Sequence, residues 1–121
     1  MRPTILKQTL QAEFLTLERC HILEISNSSA DESVSIARAR VEPGITTRLH
    51  SVTGTEERYV IVSGSGRVRV GDASEVDVTA GDVALIPAGT PQQITNTGET
   101  DLVFYCICTP RFQQSNYRPL D

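Results

Sequence analysis

The sequence is poor in tryptophan, methionine and cysteine: it has none, one and three of them, and aromatic residues make up 5% of the chain. The cysteines, Cys20, Cys106 and Cys108, are odd in number and lack zinc-finger spacing, which excludes a disulfide framework as the basis of the fold. Reduced thiols are therefore expected. Cys106 and Cys108 would share one side of a strand, where burial as small apolar side chains is favoured over metal or redox chemistry.

Basic residues are in the minority, since 11 Lys and Arg stand against 15 Asp and Glu, for a formal net charge of -4. No basic run follows the spacing of a phosphate backbone, so a nucleic-acid partner is not expected. No apolar run approaches the length that spans a bilayer, and the N-terminus has no secretory signal pattern. We therefore expect a cytoplasmic protein without a membrane partner.

What the chain does contain is a series of short segments rich in Val, Ile, Thr and Tyr, separated by Gly, Asp, Asn and Pro about every eight to twelve residues. This spacing predicts an all-β sandwich or barrel. The period of two over residues 35–41 predicts a half-buried strand. The stretch from Thr9 to Arg19 fits either a helical turn or a strand, and the sequence around Gly64 and Gly66 predicts a β-hairpin.

Two of the predicted strands are apolar on both faces. Val60 and Val62 alternate with Tyr59 and Ile61, and Val83 and Leu85 alternate with Ala84 and Ile86. Only one face of such a strand can line a barrel interior, so the other face needs cover from another element or another subunit. Because symmetric pairs are the commonest soluble oligomers, we predict a homodimer.

The first of two spaced patterns runs from Gly44 to Gly64. Five residues separate Gly44 from His50, Val52 follows two positions after the histidine, and Glu57 precedes Gly64 by seven positions. This pattern resembles the first motif of the cupin superfamily, in which a second histidine occupies the position of Val52. On a strand, His50, Val52 and Arg48 would point the same way, because residues two apart share a face.

The second pattern runs from Gly81 to Asn96. Gly81, Pro87, Gly89 and Asn96 have the spacing of the second cupin motif, and Gln92 stands where the family has its last histidine. The two patterns occur in the family's order. The chain is therefore identified as resembling a small single-domain cupin of the conserved-barrel type.

The resemblance implies an all-β, double-stranded β-helix, also described as a cupin jelly-roll barrel. The predicted organisation is one cupin domain over 1–121, with an N-terminal arm and first strands in 1–33, a barrel core in 34–109 that contains motif one (44–64) and motif two (81–96), and a C-terminal tail in 110–121.

The family's usual metal site has three histidines and one glutamate, of which this chain keeps one histidine and the glutamate. His50, Glu57 and Gln92 are the predicted ligands of a divalent metal such as Mn, Fe, Ni or Zn, with affinity lowered by the two missing imidazoles. A metal-free pocket is the alternative. In it Glu57 would need Arg48, Arg58 or His50 as an ionic partner, because a buried charge without a partner is unfavourable.

The predicted function is the binding of a small polar molecule in the barrel. Arg48 is the candidate for binding a carboxylate or phosphate, and Tyr59 and Gln92 are candidate hydrogen-bonding residues. The resemblance implies a repertoire of dioxygenases, isomerases, epimerases, decarboxylases, cyclases and simple binding proteins, among which the fold does not choose. Two alternatives stay open: a metal-dependent enzyme of dioxygenase, isomerase or lyase type, and a metal-free binding or sensing module. In a metal-free enzyme, His50 and Glu57 would be the proton-transferring pair.

Overall fold

The structure, a computed structural model, describes residues 1–121 and consists mainly of β-strands. The all-β fold class predicted from the sequence is confirmed. In chain order the strands are β1 (Phe14–Leu15), β2 (His21–Ser26), β3 (Ser35–Val41), β4 (His50–Val52), β5 (Glu56–Ser63), β6 (Ser65–Val70), β7 (Val76–Thr79), β8 (Val83–Ile86), β9 (Gln92–Asn96), β10 (Leu102–Thr109) and β11 (Tyr117–Pro119). Two short 3-10 turns lie at Leu10–Ala12 and Gln114–Asn116.

The strands form two antiparallel sheets. The larger sheet has the order β1-β2-β3-β10-β5-β8, and the smaller has the order β11-β4-β9-β6-β7. From β4 onward the chain passes repeatedly from one sheet to the other, which is the winding of a jelly roll. This topology brings β4 and β9 of the smaller sheet into the same barrel as β5 and β10 of the larger one.

The strand predicted by the period of two is confirmed as β3. Ser35, Ala39 and Val41 are buried on its inner face, while Arg38 and Arg40 lie on the outer face and bind Glu13. The inner faces of both sheets contribute the apolar core. Its buried members are Cys20, Ala39, Val41, Tyr59, Ile61, Val68, Ala84, Ile86, Ile94, Leu102 and Phe104.

The hairpin predicted around Gly64 is wrong. β5 pairs with β10 and β8 in the larger sheet, whereas β6 pairs with β7 and β9 in the smaller one. Gly64 is the corner at which the chain leaves one sheet for the other. It has a φ of +90°, and a Cβ there would lie 2.7 Å from the carbonyl oxygen of Asp101, so the corner requires glycine.

The strands that are apolar on both faces each bury one face and expose the other. Ile61 and Ile86 are buried in the core, while Val62, Val83 and Leu85 are 44%, 52% and 69% exposed on the outer face. The single chain thus leaves this outer face uncovered. The homodimer that would cover it stays a prediction.

Both ends of the chain join the sheets. The ambiguous stretch from Thr9 to Arg19 contains a 3-10 turn and the two-residue strand β1, which pairs with β2. At the other end β11 pairs with β4, with Tyr117 opposite Val52. No helix has the length and apolar character needed to cross a lipid bilayer.

Candidate functional site

A cavity of about 120 Å³ lies inside the barrel, between the larger sheet and strands β4 and β11. The side chains that line it include three carboxyl groups, one imidazole, three thiols and five aromatic rings. None of the lining residues is a lysine or an arginine. The cavity is therefore rich in hydrogen-bond acceptors and contains no permanent positive charge.

Neighbouring strands place the polar side chains of this cavity. Glu57 and Tyr59 lie on the inner face of β5, and they stand opposite Cys108 and Cys106 of β10. His50 lies on β4 directly opposite Gln92 of β9. Closure of the barrel thus brings residues from both sequence motifs to one end of the interior.

His50 is 4% exposed, and its ring is fixed from two sides. Nδ1 donates a hydrogen bond to the carbonyl oxygen of Arg48 at 2.8 Å, since a carbonyl can only accept. The ring of Tyr117 stacks on the imidazole with centroids 5.1 Å apart. Nε2 makes no hydrogen bond within the chain. A neutral His50 therefore presents Nε2 as a lone-pair acceptor.

Glu57 is 8% exposed, and its Oε1 has no hydrogen-bond partner. Burial raises the pKa of its carboxyl, and Gln92 and the imidazole of His50 oppose that effect only in part. The cation predicted to accompany this carboxylate is not a guanidinium. Arg58 points outward and donates to Thr109, while Glu56 is exposed.

Gln92 is 1% exposed and accepts a hydrogen bond from the hydroxyl of Tyr59 through Oε1. That oxygen is the atom through which an amide would bind a metal. Val52 lines the cavity at the position of the family's second histidine and supplies no donor atom. No group of three or more His, Cys, Asp or Glu side chains is arranged to hold a metal ion. The residues present do not fit a firmly held divalent metal, which in catalytic zinc sites has three protein ligands.

Arg48, the candidate for binding a ligand carboxylate, does not line the cavity. Its guanidinium donates to Asp121, with Nε 3.0 Å from Oδ1 and NH2 2.7 Å from the backbone oxygen. Tyr59 does line the cavity, whereas Gln92 lies behind it. His21, which the motifs do not include, lies elsewhere and contacts Glu42 and Glu13.

Glu18 is the main site residue that the sequence patterns missed. Its Oε2 lies 3.5 Å from Nδ1 of His50, and burial raises the pKa of its carboxyl, with His50 opposing that effect. Glu18 lies in a tight turn between β1 and β2, where Thr16 accepts hydrogen bonds from the backbone N–H groups of Glu18 and Arg19. Its carbonyl accepts from the N–H of Arg48, which ties the turn to the opposite side of the barrel.

Backbone conformation contributes to the position of Glu18. Arg19 has a φ of 69°, a left-handed conformation that is unusual for a residue with a side chain. The side chain of Arg19 binds the carbonyl oxygen of Thr46 at 2.9 Å, which holds the turn in place. Neither this turn nor Tyr117 falls within a cupin motif. The pattern of apolar and polar residues around them does not indicate that the side chains of Glu18 and Tyr117 point into the barrel.

The other thiol and carboxyl side chains that line the cavity are either unreactive or lie at the edge of the cavity. Burial raises the pKa of the Cys20 thiol to about 12 and also raises that of Cys106, so neither is a ready nucleophile. Glu24 is exposed at the mouth of the cavity, and burial of part of its surface raises its pKa. The groups suited to proton exchange or to ligand binding are therefore His50, Glu57 and Glu18.

Comparison with known proteins gives a family and several relatives. Residues 37–108 match the family model described as a cupin domain. The oxalate-binding protein of Thermotoga maritima is 33% identical over 91 residues, which cover 75% of this chain and 74% of that protein. The cupin-domain match includes both sequence motifs and most of the barrel.

Solved structures agree with the fold. A predicted oxalate decarboxylase from Thermotoga maritima has a TM-score of 0.69 at 29% identity, over 75% of this chain and 80% of that chain. An uncharacterized protein from Klebsiella pneumoniae with a double-stranded β-helix domain has a TM-score of 0.76 at 14% identity, over 92% of both chains. The double-stranded β-helix predicted from the resemblance is confirmed.

Proposed function

This chain belongs to the cupin family, and we propose that it binds a small polar molecule in its barrel cavity through His50, Glu57 and Glu18, without a resident metal ion. The observation that carries the proposal is that Glu57 lines the cavity and that its buried Oε1 lacks a hydrogen-bond partner. Buried polar atoms are normally paired, so this atom indicates a position for a bound group. The free Nε2 of His50 supplies a second.

The size of the cavity limits the ligand. A volume of about 120 Å³ is well below the ~300–1,000 Å³ of pockets that take drug-sized ligands. This favours a molecule of few heavy atoms over a sugar chain or a nucleotide. The aromatic rings of Tyr59 and Phe104, which pack with centroids 4.6 Å apart, give the cavity an apolar wall beside its polar groups.

Oxalate is a second candidate ligand, because the relative from Thermotoga maritima that is 33% identical to this chain is an oxalate-binding protein. A dianion would enter a cavity with three carboxyl groups and no Lys or Arg in its lining. Oxalate binding would therefore need a metal held by His50, Glu57 and Gln92, or the release of Arg48 from Asp121. The charges of the lining support a different ligand, and oxalate serves as a comparison compound.

Thermal unfolding with a panel of small polar compounds tests the proposal, because a ligand that binds only the native state raises the Tm. The panel includes oxalate alone, Mn²⁺ alone and both together. The matched variants are Ala37→Leu, which fills part of the cavity, and Ala73→Leu in an exposed turn. The proposal requires a compound whose effect is lost in Ala37→Leu and kept in Ala73→Leu. A response only to oxalate with Mn²⁺ would favour the metal-dependent alternative.

The same proposal includes a cytoplasmic homodimer. Three free cysteines, all unpaired, support a reducing compartment. The exposed apolar side chains of Val62, Val83 and Leu85 support a second subunit on the outer face of β5 and β8.

A further inference from the structure

We propose that the ligand of the barrel cavity is a small organic cation, a primary amine or diamine bound as its ammonium form by Glu57, Glu18 and His50. This inference rests on the proposed function, because it names the chemical class that the same cavity takes. It does not depend on the similarity to the oxalate-binding protein or to the predicted oxalate decarboxylase.

The first support is the set of unpaired acceptors. Oε1 of Glu57 is buried without a partner, and Nε2 of His50 makes no hydrogen bond within the chain. The carboxylate of Glu18, 3.5 Å from the imidazole, adds a third acceptor. An ammonium group has three N–H donors and no acceptor, so it supplies one donor for each of these three acceptors.

The second support is the charge of the lining. Glu18 and Glu57 lie inside the cavity, Glu24 lies at its mouth, and no Lys or Arg lines it. The guanidinium groups of Arg48, Arg19 and Arg58 are engaged elsewhere, on Asp121, the carbonyl of Thr46 and Thr109 respectively. A cation would supply the opposite charge that these buried carboxylates lack, whereas an anion would add to their repulsion.

The third support is the aromatic wall. Tyr59, Phe104, Phe112, Phe14 and Tyr117 all line the cavity. The faces of aromatic rings attract cations within about 6 Å of the ring centroid, most strongly where water is excluded. Carboxylates combined with aromatic faces discriminate an ammonium from a neutral alcohol of equal size, because the alcohol gains from neither charge nor ring quadrupole.

The experiment compares three probes with the same three-carbon spacer: 1,3-diaminopropane as the cation, 1,3-propanediol as the neutral analogue and malonate as the anion. Dissociation constants are measured by protein-observed NMR titration at neutral pH and matched ionic strength. We expect the diamine to bind at least ~10-fold more tightly than the diol, with no binding of malonate.

Two variants locate the effect. Glu57→Gln keeps the shape of the side chain and removes its charge, and it should weaken diamine binding by ~10-fold or more. Glu99→Gln removes the same charge from an exposed loop and should leave binding unchanged. Glu18→Gln provides an independent test at a half-buried position in case Glu57→Gln fails to unfold cooperatively. Equal weakening by Glu99→Gln would mean general attraction to an acidic protein and would overturn the inference.

The outcomes separate the inference from the proposed function. If the diol or malonate binds as tightly as the diamine, and Ala37→Leu abolishes that binding, the assignment of a cationic ligand is wrong. The cavity then remains a binding site. If none of the three probes and no compound of the wider panel binds, the proposed function and the cationic ligand are both wrong. If the diamine binds and neither Glu57→Gln nor Glu18→Gln weakens it, the assignment of these carboxylates is wrong.

Discussion

The hydroxyl of Tyr59 donates a hydrogen bond to Oε1 of Gln92, the oxygen that a metal ion would use at the position of the family's last histidine. The bond occupies one of the two lone pairs of the only amide oxygen in the predicted ligand set of His50, Glu57 and Gln92. Nε2 of His50 and Oε1 of Glu57 are the two predicted ligand atoms without a hydrogen-bond partner in the chain. Coordination by two protein groups is fewer than the three that catalytic metal sites commonly use.

Metal content follows from this donor set. Protein purified without chelator is expected to carry less than about a tenth of an equivalent of Mn, Fe, Ni or Zn. The double substitution Val52→His and Gln92→His restores the family's three histidines and one glutamate, and it should raise the content to about one equivalent. Elemental analysis measures both. Adding His50→Ala to the double variant leaves three of the four ligands and should lower the metal content, whereas stoichiometric metal in the wild type would contradict the metal-free site.

Stability should depend on pH through Glu57. Because burial raises its folded-state pKa above the ordinary value of 4.5, the folded protein holds this proton more tightly than the unfolded chain does. The resulting stabilisation is complete below pH 4.5 and is lost as the pH rises through the folded-state pKa. Glu57→Gln cannot lose a proton, so it should exceed the wild type in unfolding free energy by about 1–2 kcal/mol at higher pH.

Urea unfolding at a series of pH values measures this difference. The gap between Glu57→Gln and the wild type should shrink towards zero in acid. The control is Glu56→Gln, at the exposed neighbouring position, which should track the wild type throughout. Taking differences between variants also removes the contribution of Glu24, whose pKa burial raises as well, whereas Glu18 interacts with Glu57 directly and contributes to the difference. A gap of constant size would show that Glu57 does not titrate in this way.

The outer face of β5 and β8 is predicted to be the dimer interface. Leu85→Glu places a charge where the side chain is 69% exposed in the single chain, and it should convert a dimer into a monomer at micromolar concentration. Light scattering coupled to size-exclusion chromatography gives the mass. Val76→Glu changes a side chain of similar exposure on β7, in the other sheet, and should leave the mass unchanged. A monomeric wild type would remove the prediction.

Gly64 offers a test of the sheet crossing. Gly64→Ala should lower the unfolding free energy by about 1–3 kcal/mol for its positive φ, and by more for the contact with Asp101. Gly81→Ala is the matched control, because its φ of +94° is similar and nothing lies within 4 Å of the added Cβ. Comparing the two by denaturant unfolding isolates the effect of the close approach. Equal losses would mean that the backbone conformation alone sets the requirement.

Much of the fold was predictable because strand faces follow from alternation. The half-buried strand predicted over 35–41 is β3, and the two motifs located β4, β5 and β9 in one barrel. Pairing partners were less predictable. The glycines on either side of Ser65 fit both a hairpin and a crossing between sheets, and the sequence pattern does not distinguish the two, whereas the strand pairings do.

The site was predictable only within the motifs. His50, Glu57 and Tyr59 line one cavity, as their spacing indicated. Glu18 and Tyr117 reach it through a strained turn and an added edge strand, and neither feature has a local pattern that gives its direction. Alternation predicted that Arg48 points the same way as His50. Its guanidinium instead binds Asp121, a long-range contact that alternation does not encode.

The lining of the cavity extends from Phe14 to Tyr117, so it draws on strands that are far apart in the chain. A chain that has formed only its central strands lacks both the Glu18 turn and the ring that stacks on His50. Occupancy of the cavity should therefore slow amide hydrogen exchange throughout both sheets, in the edge strands β1 and β11 as well as in the centre, because opening at either margin dismantles the pocket.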